Sequence, residues 1–227
     1  MIITDKNTTV AMQKAEVYDF RINDLLAPIG IDATRLSFSW KMKSGDFGAK
    51  QTAYFITVTS EIGTQMWNTG WISSDRSVGI RYGGQVLESA TQYTATVKIK
   101  DQDGYETDEA TIIFETGLPR SQPFGDARWI AIDEADSEAC INLPAYRRSF
   151  ETRSGLSITK ARLYCSALGV YESYINGHRV GRRLDNGSIV YDELKPGYTQ
   201  MEDRKFYSTF DVTWMLQSGR ENVLSSV

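Results

Sequence analysis

At 227 residues with 41% hydrophobic content, the chain has material for two ordinary domains with buried cores. Its 25 basic and 29 acidic residues leave a net charge of -4, so no broad positive field draws it to nucleic acid or to an anionic surface. Its apolar runs fall far short of the roughly 20 residues that a membrane helix needs, which sets membrane insertion aside as well.

The opening residues, Met1-Ile2-Ile3-Thr4-Asp5-Lys6, lack the basic start and apolar stretch of a secretory leader. That pattern places the chain in the cytoplasm, or in the periplasm or outside the cell if a leader was removed. Only two cysteines occur, Cys140 and Cys165. Cys165 falls inside a strand signal, so it reads as a buried free thiol rather than half of a disulfide.

Residues 1–14 carry little pattern. Glu16 to Ile22 alternates, with Val17, Asp19 and Arg21 on one side and Tyr18, Phe20 and Ile22 on the other, which predicts a strand with one buried face. Pro28 and Gly30 end it. Strand signals then recur at Arg35 to Lys41, Ala53 to Ser60, Thr69 to Ser73, Tyr93 to Lys100 and Ala110 to Thr116, the close spacing of an all-β sandwich. Asp101-Gln102-Asp103-Gly104 has half the look of a calcium loop, but without the downstream bidentate Glu it reads as a turn. Leu87, six residues before Tyr93 at a strand start, suggests a tyrosine corner. With Trp40 on an early strand, residues 15–117 resemble a fibronectin type III domain.

Gly117 to Gly125 holds two prolines and two glycines in nine residues, and the domain boundary is placed there, giving domains at 1–118 and 119–227. Beyond it, strand signals fall at Arg128 to Ile132, Ala145 to Glu151, Ser157 to Ser166, Lys205 to Val212 and Asn222 to Val227. Starting within the third of these, Ala161 to Gly181 reads as strand, turn, strand, tight hairpin, strand. Tyr171 to Ile175 has period two, and Asn176-Gly177 supplies the two positive-φ positions of a type I′ turn. Arg182 to Asp203 is expected to be a loop with one short strand at most. Apolar Val223, Leu224 and Val227 run to the last residue, which reads as a strand cut mid-course. The expected architecture is therefore all-β: two sandwiches, the second jelly-roll-like and incomplete.

Catalytic constellations are scarce. The single histidine, His178, follows the Asn-Gly turn and is expected to be exposed, and the chain has no zinc, phosphate-loop or dinucleotide motif, so no cofactor or metal is expected. Asp133, Glu134, Asp136 and Glu138 form the densest acidic group, in a stretch with little to desolvate them. Glu172, beside Tyr171 and Tyr174, is the more interesting carboxylate, with a structural hydrogen bond as its expected role. Arg179, Arg182 and Arg183 follow the hairpin as a cluster able to grip an acidic surface, or else a solvated face. Trp67, Trp71, Tyr171, Tyr174 and Tyr198 are the rings available to stack on sugars, with core packing as the simpler reading.

The second half resembles the amino-terminal β-sandwich of bacterial α-L-rhamnosidases, glycoside hydrolase family 78. The similar segments run in order: Arg128-Trp129-Ile130, Pro144-Ala145-Tyr146-Arg147-Arg148-Ser149-Phe150, Tyr174-Ile175-Asn176-Gly177-His178-Arg179-Val180-Gly181, Leu194-Lys195-Pro196-Gly197-Tyr198-Thr199 and Tyr207-Ser208-Thr209-Phe210-Asp211-Val212. Leu36-Ser37-Phe38-Ser39-Trp40 and Trp67-Asn68-Thr69-Gly70 are similar to the fibronectin-like module with which members often begin. One departure is Tyr198, where the family commonly has Trp, which leaves a stacking role for that loop in doubt.

The resemblance implies a parent enzyme that hydrolyses terminal α-L-rhamnosides with inversion, through two carboxylates on a downstream (α/α)6 barrel. No catalytic residue carries over to this chain. The expected partner is the missing carboxy-terminal catalytic domain, together with rhamnose-containing glycans if the sandwiches bind sugar. Tyr171, Tyr174 and Tyr198 are then the candidate carbohydrate or domain contacts. An independent carbohydrate-binding module and a fibronectin-type protein-interaction module are the alternatives. Saturable titration with L-rhamnose would favour the first of these, and binding to a protein partner the second.

Overall fold

The computed structural model describes residues 15–121, 123–132, 144–198, 200, 202–203 and 205–227. The acidic group at 133–138 and Cys140 lie outside the described residues. The chain divides into two compact units, Met1–Gly125 and Asp126–Val227, and both are built from antiparallel strands. No helix among the described residues is long and apolar enough to cross a membrane.

The first unit is a two-layer sandwich. One sheet has the order β1 (Glu16–Ile22), β2 (Ser37–Lys43), β6 (Ile80–Arg81). The other has the order β4 (Gln65–Asn68), β3 (Gln51–Ser60), β7 (Gln92–Asp101), β8 (Ala110–Glu115), with β5 (Ile72–Ser73) also paired to β3. Strict alternation makes β7 the spine: Tyr93, Ala95, Val97 and Ile99 are buried, and the residues between them face outward. Phe20, Phe38 and Trp40 from the first sheet meet Tyr54, Ile56 and Val58 from the second in one core. The Trp40 and Tyr54 rings touch edge to face at 5.5 Å.

Three local outcomes differ from the sequence pattern, the first two because of a left-handed residue in the backbone. In β1 the alternation changes phase: the register against β2 shifts between Tyr18 and Arg21, and Asp19 has φ 51°. This bulge turns Val17, Phe20 and Ile22 all inward and leaves Tyr18 exposed. Asp19 tolerates the left-handed backbone, and its carboxylate sits 2.7 Å from both Arg21 and Lys41. The expected strand at Thr69 to Ser73 shortens to β5, Ile72–Ser73, because Gly70 at φ 60° breaks the chain between the end of β4 at Asn68 and β5. Arg128 to Ile132 has strand composition but pairs with nothing among the described residues, and Trp129 and Ile130 are exposed.

The tyrosine corner is present. Tyr93 is buried, and its hydroxyl accepts the Glu88 backbone N–H at 2.8 Å next to buried Leu87. Asp101 forms the expected turn, its Oδ1 accepting from the Asp103 and Tyr105 N–H groups at 2.9 Å. Tyr93→Phe is expected to cost about 1–1.5 kcal/mol, because the Glu88 N–H loses its acceptor while the ring packing survives. Urea denaturation of the variant checks this, and a loss under about 0.3 kcal/mol would show that the corner contributes nothing.

The second unit has a four-stranded sheet in the order β12 (His178–Arg179), β11 (Ser173–Ile175), β16 (Glu221–Ser226), β9 (Tyr146–Glu151). Two further pairs accompany it: β10 (Arg162–Cys165) with β15 (Ser208–Asp211), and β13 (Arg182–Arg183) with β14 (Ile189–Val190). The stretch expected to hold one short strand at most thus contains a small ribbon, closed where the Leu184 N–H donates to the Ser188 carbonyl. The core is small: Ile175, Val180, Phe210, Val212 and Met215, with Leu163 and Leu224 packed against them. Edge strand β9 is exposed at every residue except Tyr146.

Candidate functional site

The hairpin of β11 and β12 is shaped by its turn. Asn176 and Gly177 have φ 52° and 83°, the two left-handed positions of a type I′ turn. The Asn176 side chain does more than turn the chain: its Oδ1 accepts the Val223 N–H at 2.9 Å, and its Nδ2 donates to the Met215 carbonyl at 3.0 Å and to Asn222 Oδ1 at 2.9 Å. Period two then sends Tyr171, Ser173 and Ile175 inward and turns Glu172 and Tyr174 to the opposite face.

On that face Arg179 grips Glu172 with two hydrogen bonds, Nε to Oε2 at 2.8 Å and Nη2 to Oε1 at 2.6 Å. Lys195, from the segment after β14, donates from Nζ to the same Oε2 at 3.0 Å. Aromatic rings complete the cluster. The Arg179 guanidinium lies 4.5 Å from the Tyr191 ring centroid, and the Lys195 ammonium lies 5.5 Å from that of Phe210 and 5.9 Å from that of Tyr171. Arg179 first, then Lys195, hold the Glu172 carboxyl below its ordinary pKa against the opposing effect of burial. A carboxylate held in this way is a structural anion and a poor proton donor.

The three tyrosines singled out by sequence do not share an environment. Tyr171 is a core residue at 8% exposure, with its phenol pushed up by burial; Tyr174 is half-buried; Tyr198 stands out at 91%. Trp67 packs against the first unit's core, its ring 5.7 Å from Phe38. Trp71 rests on Phe55 at 5.6 Å and is approached by Lys98 and Lys100 at 5.4 and 4.5 Å. His178 is exposed, as its place after the turn predicts. The arginines do not act as one cluster: Arg179 belongs to Glu172, Arg183 lies 5.5 Å from the Trp214 ring, and Arg182 is exposed. Cys165 is a free thiol whose pKa is raised by burial. A shallow cleft of about 410 Å³, lined by Glu151, Arg153, Gly219, Arg220 and Glu221 among others, shares no residue with the hairpin cluster.

Sequence reasoning missed Lys195. It sits in a loop with no periodic pattern, and a lysine there is expected to be solvated, yet it is 3% exposed. The Leu194-Lys195-Pro196-Gly197 motif drew attention to the segment without indicating which side chain turns inward.

Two family models match the two units. Residues 17–120 match the Rha78A-like, N-terminal immunoglobulin domain, and residues 156–227 match the α-L-rhamnosidase N-terminal domain. The chain belongs to the α-L-rhamnosidase family, as its amino-terminal region. An α-L-rhamnosidase of Formosa agariphila is 29% identical over 225 residues, covering 88% of this chain and 22% of that protein. One of Streptomyces avermitilis is 32% identical over 178 residues, covering 68% of this chain and 17% of that protein. The solved structure of α-L-rhamnosidase from Dictyoglumus thermophilum superimposes with a TM-score of 0.77 at 28% identity, covering 93% of this chain and 25% of that one. The chain thus spans about a fifth of the length of the curated α-L-rhamnosidases it matches. Within the family region, the hairpin cluster falls wholly inside the stretch matched by the α-L-rhamnosidase N-terminal model.

Proposed function

We propose that this chain is the non-catalytic amino-terminal part of an α-L-rhamnosidase, two β-sandwich units that buttress a catalytic region elsewhere in the parent protein. That parent would hydrolyse terminal α-L-rhamnosides with inversion. The observation that carries the reading is the match of both units to amino-terminal domain models of this one family.

The chemistry of the hairpin supports it. Inverting glycosidases set a protonated acid about 6.5–9.5 Å from a carboxylate base. Glu172 instead faces Arg179 and Lys195, which favour its ionised form. The surface of the second unit supports the buttressing role: Trp129, Ile130, Leu168, Val170 and Leu194 are all more than half exposed, apolar area that another part of a larger protein would cover. The alternative of a sugar-binding module has little to draw on. Tyr171 is buried and lysines already occupy the surroundings of Trp71, which leaves Tyr198 as the one fully exposed ring among the three candidate tyrosines.

Purified chain incubated with an aryl α-L-rhamnoside is expected to release no more aryl alcohol than a buffer blank. Turnover that co-purifies with the chain and vanishes when its own carboxylates are replaced would overturn the assignment.

A further inference from the structure

Lys195 is the one buried lysine among the described residues, and between Tyr191 and Tyr198 no other side chain is buried. Its neighbours point away from the core: Leu194 is 72% exposed and Tyr198 91%. Lys195 is therefore the segment's one buried anchor, aided by the Arg179 guanidinium on the Tyr191 ring at the segment's start and by the Tyr171 N–H donating to the Lys195 carbonyl at 3.2 Å. Among the described residues, the anion that meets the Lys195 ammonium is Glu172, at 3.0 Å. We propose that Glu172 and Lys195 form an electrostatic clasp that holds residues 191–198 onto the hairpin and releases them as a unit when the carboxylate is lost.

The two cations bound to Glu172 differ in what they need from it. The Arg179 side chain keeps 37% exposure and stacks on Tyr191, so water can solvate it whether or not the carboxylate is there. The Lys195 side chain has 2% exposure, so the Glu172 carboxylate stands in for the water that its ammonium lacks there. Without the anion, the lowest-cost response is for the ammonium to swing into water, drawing its own backbone with it. The rest of the unit has no reason to follow. β11 and β16 are joined by their own ladder, and Ile175 and Val180 share a core with Val212, Met215, Leu163 and Leu224, which the segment meets where the Lys195 ammonium lies over the Phe210 ring. The clasp thus fixes where the family motif Leu194-Lys195-Pro196-Gly197 displays its exposed Leu194 and Tyr198.

Amide hydrogen exchange on the whole chain tests this, read at the Tyr171 and Gly197 amides, which donate to Lys195 and Leu194 carbonyls, and at the β16 ladder amides. In Glu172→Gln the first two are expected to exchange faster on the order of a hundredfold while the ladder keeps its protection. Lys195→Met has no buried charge to solvate and is expected to stay docked. The double variant, Glu172→Gln with Lys195→Met, is expected to regain most of the protection that Glu172→Gln loses. The clasp is refuted if Glu172→Gln leaves the segment protected, if ladder and segment lose protection together, or if the double variant is as open as Glu172→Gln.

Discussion

Asn222→Ala is expected to remove about 3–5 kcal/mol from the second unit, a large share of the stability of a domain this size. Asn222 is fully buried, and its amide is saturated. Oδ1 accepts the Gln217 N–H at 2.8 Å and Asn176 Nδ2 at 2.9 Å. Nδ2 donates to the Gln217 and Arg220 carbonyls at 2.9 and 3.0 Å. Truncation leaves those partners in a site with little access to water, and an unmet buried polar group costs more than a hydrogen bond contributes. It also loosens Asn176, which anchors the hairpin turn to Met215 and Val223. Asn222→Asp is expected to be no milder, since it would face two carbonyl oxygens with a carboxylate. Urea denaturation followed by circular dichroism should show the second unit's midpoint falling by more than about 1 M. An alanine variant within about 1 kcal/mol of wild type would mean that the network is peripheral.

Trp40→Ala is expected to cost the first unit a comparable amount, about 3–5 kcal/mol, through the cavity left by a large side chain. Trp40 is 2% exposed and packs against Tyr54 and Phe20. Its indole N–H donates to Gln51 Oε1 at 2.9 Å, while Gln51 Nε2 donates to the Ser74 and Arg76 carbonyls at 3.0 Å. The ring therefore does two things: it fills the space between sheets and aligns the glutamine that pins the 74–76 connection. Trp40→Phe separates them, keeping most of the packing but leaving Gln51 Oε1 without its donor, for an expected loss of about 1–3 kcal/mol. If the two variants are equally destabilised, the hydrogen bond outweighs the packing and the cavity argument fails.

The hairpin shows how the two levels divide. Period two over Tyr171 to Ile175 and the Asn-Gly turn were readable because each depends on neighbours along the chain, through side-chain alternation and the positive φ that Asn and Gly tolerate. The tyrosine corner was readable for the same reason, since Leu87, Glu88 and Tyr93 are close in sequence. The bulge at Asp19 was not, because it depends on the register that β2 imposes from outside. Nor was the grip on Glu172, whose partners come from 7 and 23 residues away.

The sequence by itself determined the all-β class, the turn chemistry and, through its ordered motifs, the resemblance to the amino-terminal region of α-L-rhamnosidases. Only the tertiary structure decided that Tyr171 is core while Tyr198 stands in solvent, and that Lys195 turns inward to meet Glu172. The physical reason is that alternation and turns are written in local dihedral preferences. Burial and charge pairing, by contrast, depend on which distant segments meet, and a loop without periodicity carries no record of that.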